Sequence, residues 1–375
     1  MQTNGKEFPR ETHLVYVGTY TGLGSEGIYI CRLDMATGAL KLIGVAGNVE
    51  NPSYMAIDTQ RLRLYAVNEV ADFEGQPGGS VSAFAIQSPF GELVLINRKY
   101  SHGGAPCYLT VGHGGRHLYG VNYSGGNVVV FPLNDDGALM EPSDIISHWG
   151  SSLHAKRQEG PHPHSIVLDP ANNHAFVPDL GLDKVWQYDL GQSGGRLIAN
   201  RQPWVELEPG SGPRHMVFHP SGRYAYVINE LNSTITAYTY DPQRGELSMF
   251  QIVSTVPEGY VGANIAADIH LTPTGNFLMG SNRGHDSIAC YVVDQETGAL
   301  TTSDFVHTQG QTPRGFAVDP SGTFVFVANQ DSHNIVAFGV DEIRGTLFPI
   351  GNTIHIPSPV CLKVARFERS INDAE

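Results

Sequence analysis

GPRHMVFHPSGRYAYVINE, residues Gly212 to Glu230, holds two β-prone runs, HMVFH and YAYVINE, joined by Pro220-Ser221-Gly222. The proline and glycine suit a tight turn. An antiparallel pair so joined brings the start of its first strand and the end of its second to one edge. Arg214, His215 and Glu230 gather at that edge. None of them is a residue that a half-buried strand selects for packing, so they are the first candidates for chemistry.

The stretch recurs. A leading proline, a β-run, a Pro or Gly turn, a second β-run ending in Asn or Asp, and then a third and fourth strand return at roughly fifty-residue intervals, the period of propeller blades. Copies begin at Pro52, Pro106, Pro163, Pro213 and Pro313, and one without the leading proline begins at Ala266. Residues 13 to 47 supply only the last three strands of a unit, whereas the segment from Pro357 supplies only a first strand. Joining them makes a seventh blade from both ends of the chain and leaves no open sheet edge. The fold class is therefore all-β, a seven-bladed β-propeller of four-stranded antiparallel blades closed by a blade shared between the N- and C-termini. Residues 11–367 form one domain, and 1–10 and 368–375 read as disordered tails. The loop EVADFEGQPGG, from Glu69 to Gly79, reads as a flexible rim over one face. Pro178 falls where a ladder N–H is expected and predicts a bulge.

Composition fits the repeat, with 43 Gly and 23 Pro in 375 residues and no Ala/Leu/Glu/Lys-rich helical stretch. The net charge of -14, with no run of basic residues, makes nucleic acid and anionic membrane surfaces poor partners. A small anion is not excluded, because a few local arginines override a diffuse field over the short range that salt leaves unscreened. The 4 cysteines show no CxxC spacing and no histidine companions, which points away from zinc and toward a reduced, cytoplasmic life. The polar N-terminus has no apolar core of a secretory signal, and no apolar run is long enough to span a bilayer.

In a propeller the first strand of each blade lines the central channel, so first-strand starts and second-strand ends converge on one mouth. The residue after each leading proline, or its equivalent, is Ser53, Cys107, His164, Arg214, Ala267, Arg314 or Val360. The residue after each terminal Asn, or its equivalent, is Tyr20, Glu69, Tyr123, Leu180, Glu230, Arg283 or Gln330. His162, His215 and Asp268 lie one or two positions away. Fixed cations can hold an anion and neutralise a developing oxyanion, and a His or carboxylate can handle a proton near neutral pH. The plainer alternative for the arginines is ion pairing with Glu230, Glu69 or Asp268 to stitch blades together. Strand alternation turns His215 away from the side that His164 occupies. The repeated Asn68, Asn122, Asp179, Asn229, Asn282 and Asn329 read as makers of local turn hydrogen bonds. Carboxylates and Asn on a propeller axis can hold calcium, but arginines at three ring positions would repel a cation. Neither a metal nor a cofactor is expected.

GPHPHS, GPRHMVFHPSGRYAYVINELNSTI, AADIHLTPTG, SNR and TPRGFAVDPSG resemble the seven-bladed propeller lactonase family. That family includes bacterial 6-phosphogluconolactonase of the propeller type and fungal 3-carboxy-cis,cis-muconate lactonizing enzyme. The likeness covers nearly the whole chain and is most specific between His162 and Phe316. It implies an active site of one His, two Arg and one Glu, which by motif are His164, Arg214, Glu230 and Arg283, with Arg314 of TPRG a rival for the second arginine. The activity implied is hydrolysis of 6-phosphogluconolactone. His164 or Glu230 would deprotonate water, Arg214 would stabilise the oxyanion, and Arg283 with Arg314 would grip the phosphate. Asp268, His162, His215 and Glu69 complete the expected substrate-binding set. The partner expected is a small anionic lactone, and the protein is expected to be a monomer or weak homo-oligomer. Two other readings stand beside this one: a muconate-type cycloisomerase, and a non-catalytic propeller that binds an anionic small molecule or a partner protein.

Overall fold

A computed structural model describes residues 11–87, 90–191 and 194–368. Of the expected tails, 1–10 and 369–375 lie outside the described residues, and residue 368 ends the last strand, Pro359–Glu368. The described residues form seven four-stranded antiparallel sheets and one two-stranded ribbon. Their single helical element is a short turn at Thr21–Leu23, so none of their helices could cross a membrane.

The expected closure is present. Strand Glu11–Thr19 pairs on one side with Gly27–Leu33 and on the other with Pro359–Glu368, which makes one blade from the two ends of the chain. Strand Pro359–Glu368 also packs against the first strands of the Pro313 and Pro52 blades, so the ring has no open seam.

Period-two alternation explains how each blade is held. Second strand Tyr224–Asn229 is buried throughout. Tyr226 and Ile228 pack on Ile269, Leu278 and Tyr291 of the next blade, while Ala225 and Val227 pack on Phe176 and Val185 of the previous one. Outermost strands such as Thr346–His355 alternate instead between covered and exposed positions. A repeated clasp adds direction to this packing. Buried Tyr16, Tyr65, Tyr119 and Tyr226 each donate from the hydroxyl to the carbonyl of a turn glycine in the neighbouring blade, Gly91, Gly137, Gly194 and Gly298, at 2.7–3.1 Å.

The Asn/Asp repeat reaches further than the local turn. Asn68, Asn122, Asn282 and Asn329 donate to carbonyls of the connection that leads into their own blade, at Glu50, Ser101, Thr255 and Thr308. Asp179 accepts from the backbone N–H of His162 at 2.7 Å and from buried His148 Nδ1 at 2.6 Å. These bonds fix the loops that carry the channel mouth.

Two expectations take a different form. The bulge expected at Pro178 does not fall on its own strand, which pairs in regular register with Lys184–Leu190. Pro178 turns its carbonyl to His164 N, at 3.0 Å, so the missing N–H faces the first strand. That strand is cut to Val167–Leu168. The Glu69–Gly79 loop, expected as a flexible rim, contains the ribbon, Asp72–Phe73 paired with Gln76–Pro77.

Candidate active site

A repeated bulge builds the mouth. Between first and second strands, Pro106 pairs with Asn122 and Tyr108 with Val121, which leaves Cys107 extra. Arg214, Arg314 and Val360 are left over in the same way in their blades. In the Ala266 blade, Ala267 and Asp268 together oppose Ser281. A bulge re-aims side chains and breaks alternation. Arg214 and the adjacent His215 consequently both face the channel, where unbroken alternation would turn His215 away. A small chamber of about 20 Å³ lies on the axis, lined from all seven blades and including His164, Arg214, His215, Asp268, His270 and Arg314.

Glu230 is the hub above this chamber. Its side chain is 3% exposed. Oε2 lies 3.0 Å from Arg214 Nε and 2.7 Å from Arg283 Nη2, and Oε1 accepts from Arg157 Nη2. Burial would raise its pKa, but Arg283, Arg214, His164 and Arg157 overcome that and hold it well below the usual carboxylate range. Burial lowers the pKa of Arg283 to about 10 and that of Arg214 in the same direction. Arg214 Nη1 also donates to Ala267 O at 2.5 Å. The Nε–H of Arg214 sits close to Glu230 but off the hydrogen-bond direction. Like the Nε–H of Arg283, it is buried without a hydrogen-bond acceptor among the described residues.

Three blades around the ring, Glu69 has different neighbours. Its Oε2 accepts from the Tyr20 hydroxyl at 3.0 Å and from Ser53 Oγ at 2.5 Å. Arg314 lies over the Tyr20 ring, 5.4 Å from its centroid, and has no ion-pair partner among the described residues. Arg157, Arg214, Arg283 and Arg314 thus face Glu230 and Glu69, an excess of two positive charges at the mouth of a protein whose net charge is -14.

His164 stands between these halves, its Nδ1 3.8 Å from Cys107 Sγ and its ring edge-on to Tyr123 and His215. Burial, then Arg214 and His215, holds its pKa well below the ordinary histidine value, so the ring is neutral at pH 7. Burial likewise pushes the Cys107 thiol up, which keeps it protonated. His162 is drawn aside: it stacks on Tyr123 at 4.4 Å and engages Tyr123 O and Glu159.

His215 and Asp268 back Arg214. His215 Nδ1 donates to Asp268 Oδ1 at 2.8 Å, and Arg214 Nη1 lies 3.2 Å from His215 Nε2, an arrangement that assigns the Nδ1–H tautomer. Burial, then Arg214, lowers the His215 pKa to about 3. Burial would raise Asp268, but His270 and His215 hold it well below its ordinary value. His270 Nε2 meets the other oxygen, Oδ2, at 3.0 Å.

Sequence reasoning therefore placed His164, Arg214, Glu230, Arg283 and Arg314 around one basin and missed Arg157. That arginine sits in the longest connection between blades, after strand Asp144–Ser147. The length of the connection and its Lys156-Arg157 pair were the available signals. Among the described residues, no cluster of three or more His, Cys, Asp or Glu side chains could hold a metal.

The family described as "Lactonase, 7-bladed beta-propeller" matches residues 14–364. The 6-phosphogluconolactonase of Bacillus subtilis is 37% identical over 351 residues, covering 94% of this chain and 98% of the relative. That of Formosa agariphila is 32% identical, covering 89% and 94%. Among solved structures, the Pseudomonas aeruginosa periplasmic gluconolactonase superposes with a TM-score of 0.89 at 34% identity, covering 95% of this chain and 99% of that one.

Proposed function

Because this chain belongs to the seven-bladed β-propeller lactonase family, we propose a step in the opening of a sugar lactone ring for each side chain of the mouth. The protein is a lactone-hydrolysing enzyme, and its substrate is 6-phosphogluconolactone, opened to 6-phosphogluconate. The observation that carries the assignment of roles is the contrast between the paired Arg283 and the unpaired Arg314.

Glu230 is not the base in this reading, since both of its oxygens already neutralise guanidiniums. His164 is neutral and carries no ion pair. It accepts a proton from water as the water oxygen bonds to the lactone carbonyl carbon. The carbonyl oxygen becomes an oxyanion facing the guanidinium of Arg214, which lines the axial chamber, and Arg314, which lacks a carboxylate partner. The ring C–O bond then breaks, and imidazolium returns the proton to the leaving oxygen. The surroundings that make His164 a weak base make its protonated form a ready acid. The carboxylic acid so formed releases its proton to solvent, and the carboxylate is held by Arg314 until it leaves. Arg283 keeps Glu230 in place, and His215 with Asp268 keeps Arg214 aimed.

Residues 11–367 act as one unit, as monomer or weak homo-oligomer, because one chain supplies every group of the site. We place the reaction in the cytoplasm, a reading supported by the 4 free, buried cysteines Cys31, Cys107, Cys290 and Cys361.

His164→Ala should lower kcat about 10²- to 10⁴-fold and raise KM far less, measured against the spontaneous opening of the lactone. Small, equal changes in both parameters remove the histidine from the chemistry. Formation of a lactone from a carboxy-muconate, with no lactone opening, would replace this reading by the cycloisomerase.

A further inference from the structure

We propose that Arg157 is the residue that reads the phosphate of the substrate and so separates a phosphorylated lactone from a neutral one. The proposal rests on the lactonase reading and adds to it a residue for the end of the substrate away from the reacting carbonyl.

Arg157 differs from the other two arginines of the Glu230 hub. Its side chain is 34% exposed, whereas those of Arg214 and Arg283 are 3% and 9% exposed. It is the hub cation that an incoming substrate meets at the lip. Nη2 is engaged, donating to Glu230 Oε1 and to the Tyr123 hydroxyl at 3.3 Å. The N–H groups of Nε and Nη1 have no partner among the described residues. A guanidinium anchored on one nitrogen and open on the others suits a phosphate, which offers several acceptor oxygens to a rigid array of donors.

The backbone beneath it is fixed. Gln158, fully buried, donates from Nε2 to Leu180 O at 2.9 Å and accepts from His154 N at 3.0 Å. The Arg157 head can shift toward a ligand without leaving Glu230 uncompensated, because Arg214 and Arg283 remain on that carboxylate. Arg314 lines the axial chamber with His164, which assigns it to the carbonyl end and leaves Arg157 for the outer end.

The test compares 6-phosphogluconolactone with glucono-δ-lactone, the same ring without phosphate, in wild type, Arg157→Gln and Arg157→Lys at constant ionic strength. In Arg157→Gln the KM for the phosphorylated lactone should rise about tenfold, the loss of one charge-assisted contact. The KM for the neutral lactone should move far less. Arg157→Lys should recover part of the difference. Inorganic phosphate should inhibit neutral-lactone turnover competitively in wild type, and Arg157→Gln should weaken that inhibition. Equal changes for both lactones, or none for either, overturn the role of Arg157 and leave the lactonase reading intact. Wild-type turnover of the neutral lactone alone overturns the role of Arg157 and the phosphorylated substrate, and leaves only the lactone-hydrolysing activity standing. A wild type that opens neither lactone overturns both.

Discussion

Glu230 and Glu69 occupy the same position of the repeat, just beyond the second strand, in blades three apart, yet their surroundings have little in common. Glu230 is met by three guanidiniums, two of them almost fully buried. Glu69 is met by the hydroxyls of Tyr20 and Ser53. Arg314, which lies over the ring of the same Tyr20, faces the chamber with no ion-pair partner among the described residues. Position in a propeller repeat therefore fixes that a side chain arrives at the mouth, while the neighbouring blades decide whether it becomes a scaffold or stays available. The Glu230 half of the mouth is an ion-paired scaffold in which Arg157 alone opens outward, and the Glu69 half keeps an unpaired charge at the chamber.

The largest effect should come from removing the two carboxylates in turn. Glu230→Ala leaves three guanidiniums crowded with no counter-charge, and breaking a buried ion cluster of this kind costs about 3–5 kcal/mol. Glu69→Ala removes hydrogen bonds at a half-buried site and should cost about 1 kcal/mol. Denaturant or thermal unfolding of both variants measures the contrast. Equal losses would erase the distinction between a scaffold half and an open half.

That distinction could not be read from the chain alone, although the ring itself could. The leading prolines, the Asn/Asp that close second strands, and the complementary ends of the chain sufficed for blade number, closure and the list of residues at the mouth. Side-chain partnership was hidden for two physical reasons. The bulges at Arg214 and Arg314 add one residue to the first strand, and nothing local marks them, because a bulge is a property of two paired strands. Arg157 reaches Glu230 from 73 residues away through an irregular connection, where no periodicity predicts direction. Pro178 was legible as an interruption, but which neighbour would bear it depended on the side its nitrogen faces.

The next effect tests the open half. Arg314→Gln should lower kcat about 10²-fold, for phosphorylated and neutral lactones alike, because the lost charge faces the carbonyl common to both. Steady-state rates on the two substrates decide this. A loss confined to the phosphorylated lactone would move Arg314 to the outer end and break the division of labour with Arg157. Stability should change little, since Arg314 leaves no carboxylate without its partner.

The smallest effect is acid sensitivity, which at the mouth should lie with the Glu230 half because His215, whose pKa is depressed, backs Arg214 on that side. His215 has a pKa of about 3 in the folded protein, lowered by burial and then by Arg214, against an unfolded value of about 6.5. Between those values the unfolded chain binds a proton that the folded chain refuses, so its contribution to stability is complete above pH 6.5 and declines as pH falls toward 3. One such group gives a slope of at most about 1.4 kcal/mol per pH unit. Thermal midpoints measured from pH 7 down to pH 4 should fall accordingly in wild type and in Glu69→Ala. In His215→Asn the fall should be shallower by that one proton, since asparagine does not titrate, even though the variant begins from a lower midpoint through loss of the Asp268 hydrogen bond. Parallel slopes in wild type and His215→Asn would mean that His215 takes up its proton in the folded protein as readily as in the unfolded chain, and so is charged over most of that range. Arg214 would then have a cation behind it rather than a neutral acceptor, and the scaffold half would be held together differently from the way its distances indicate.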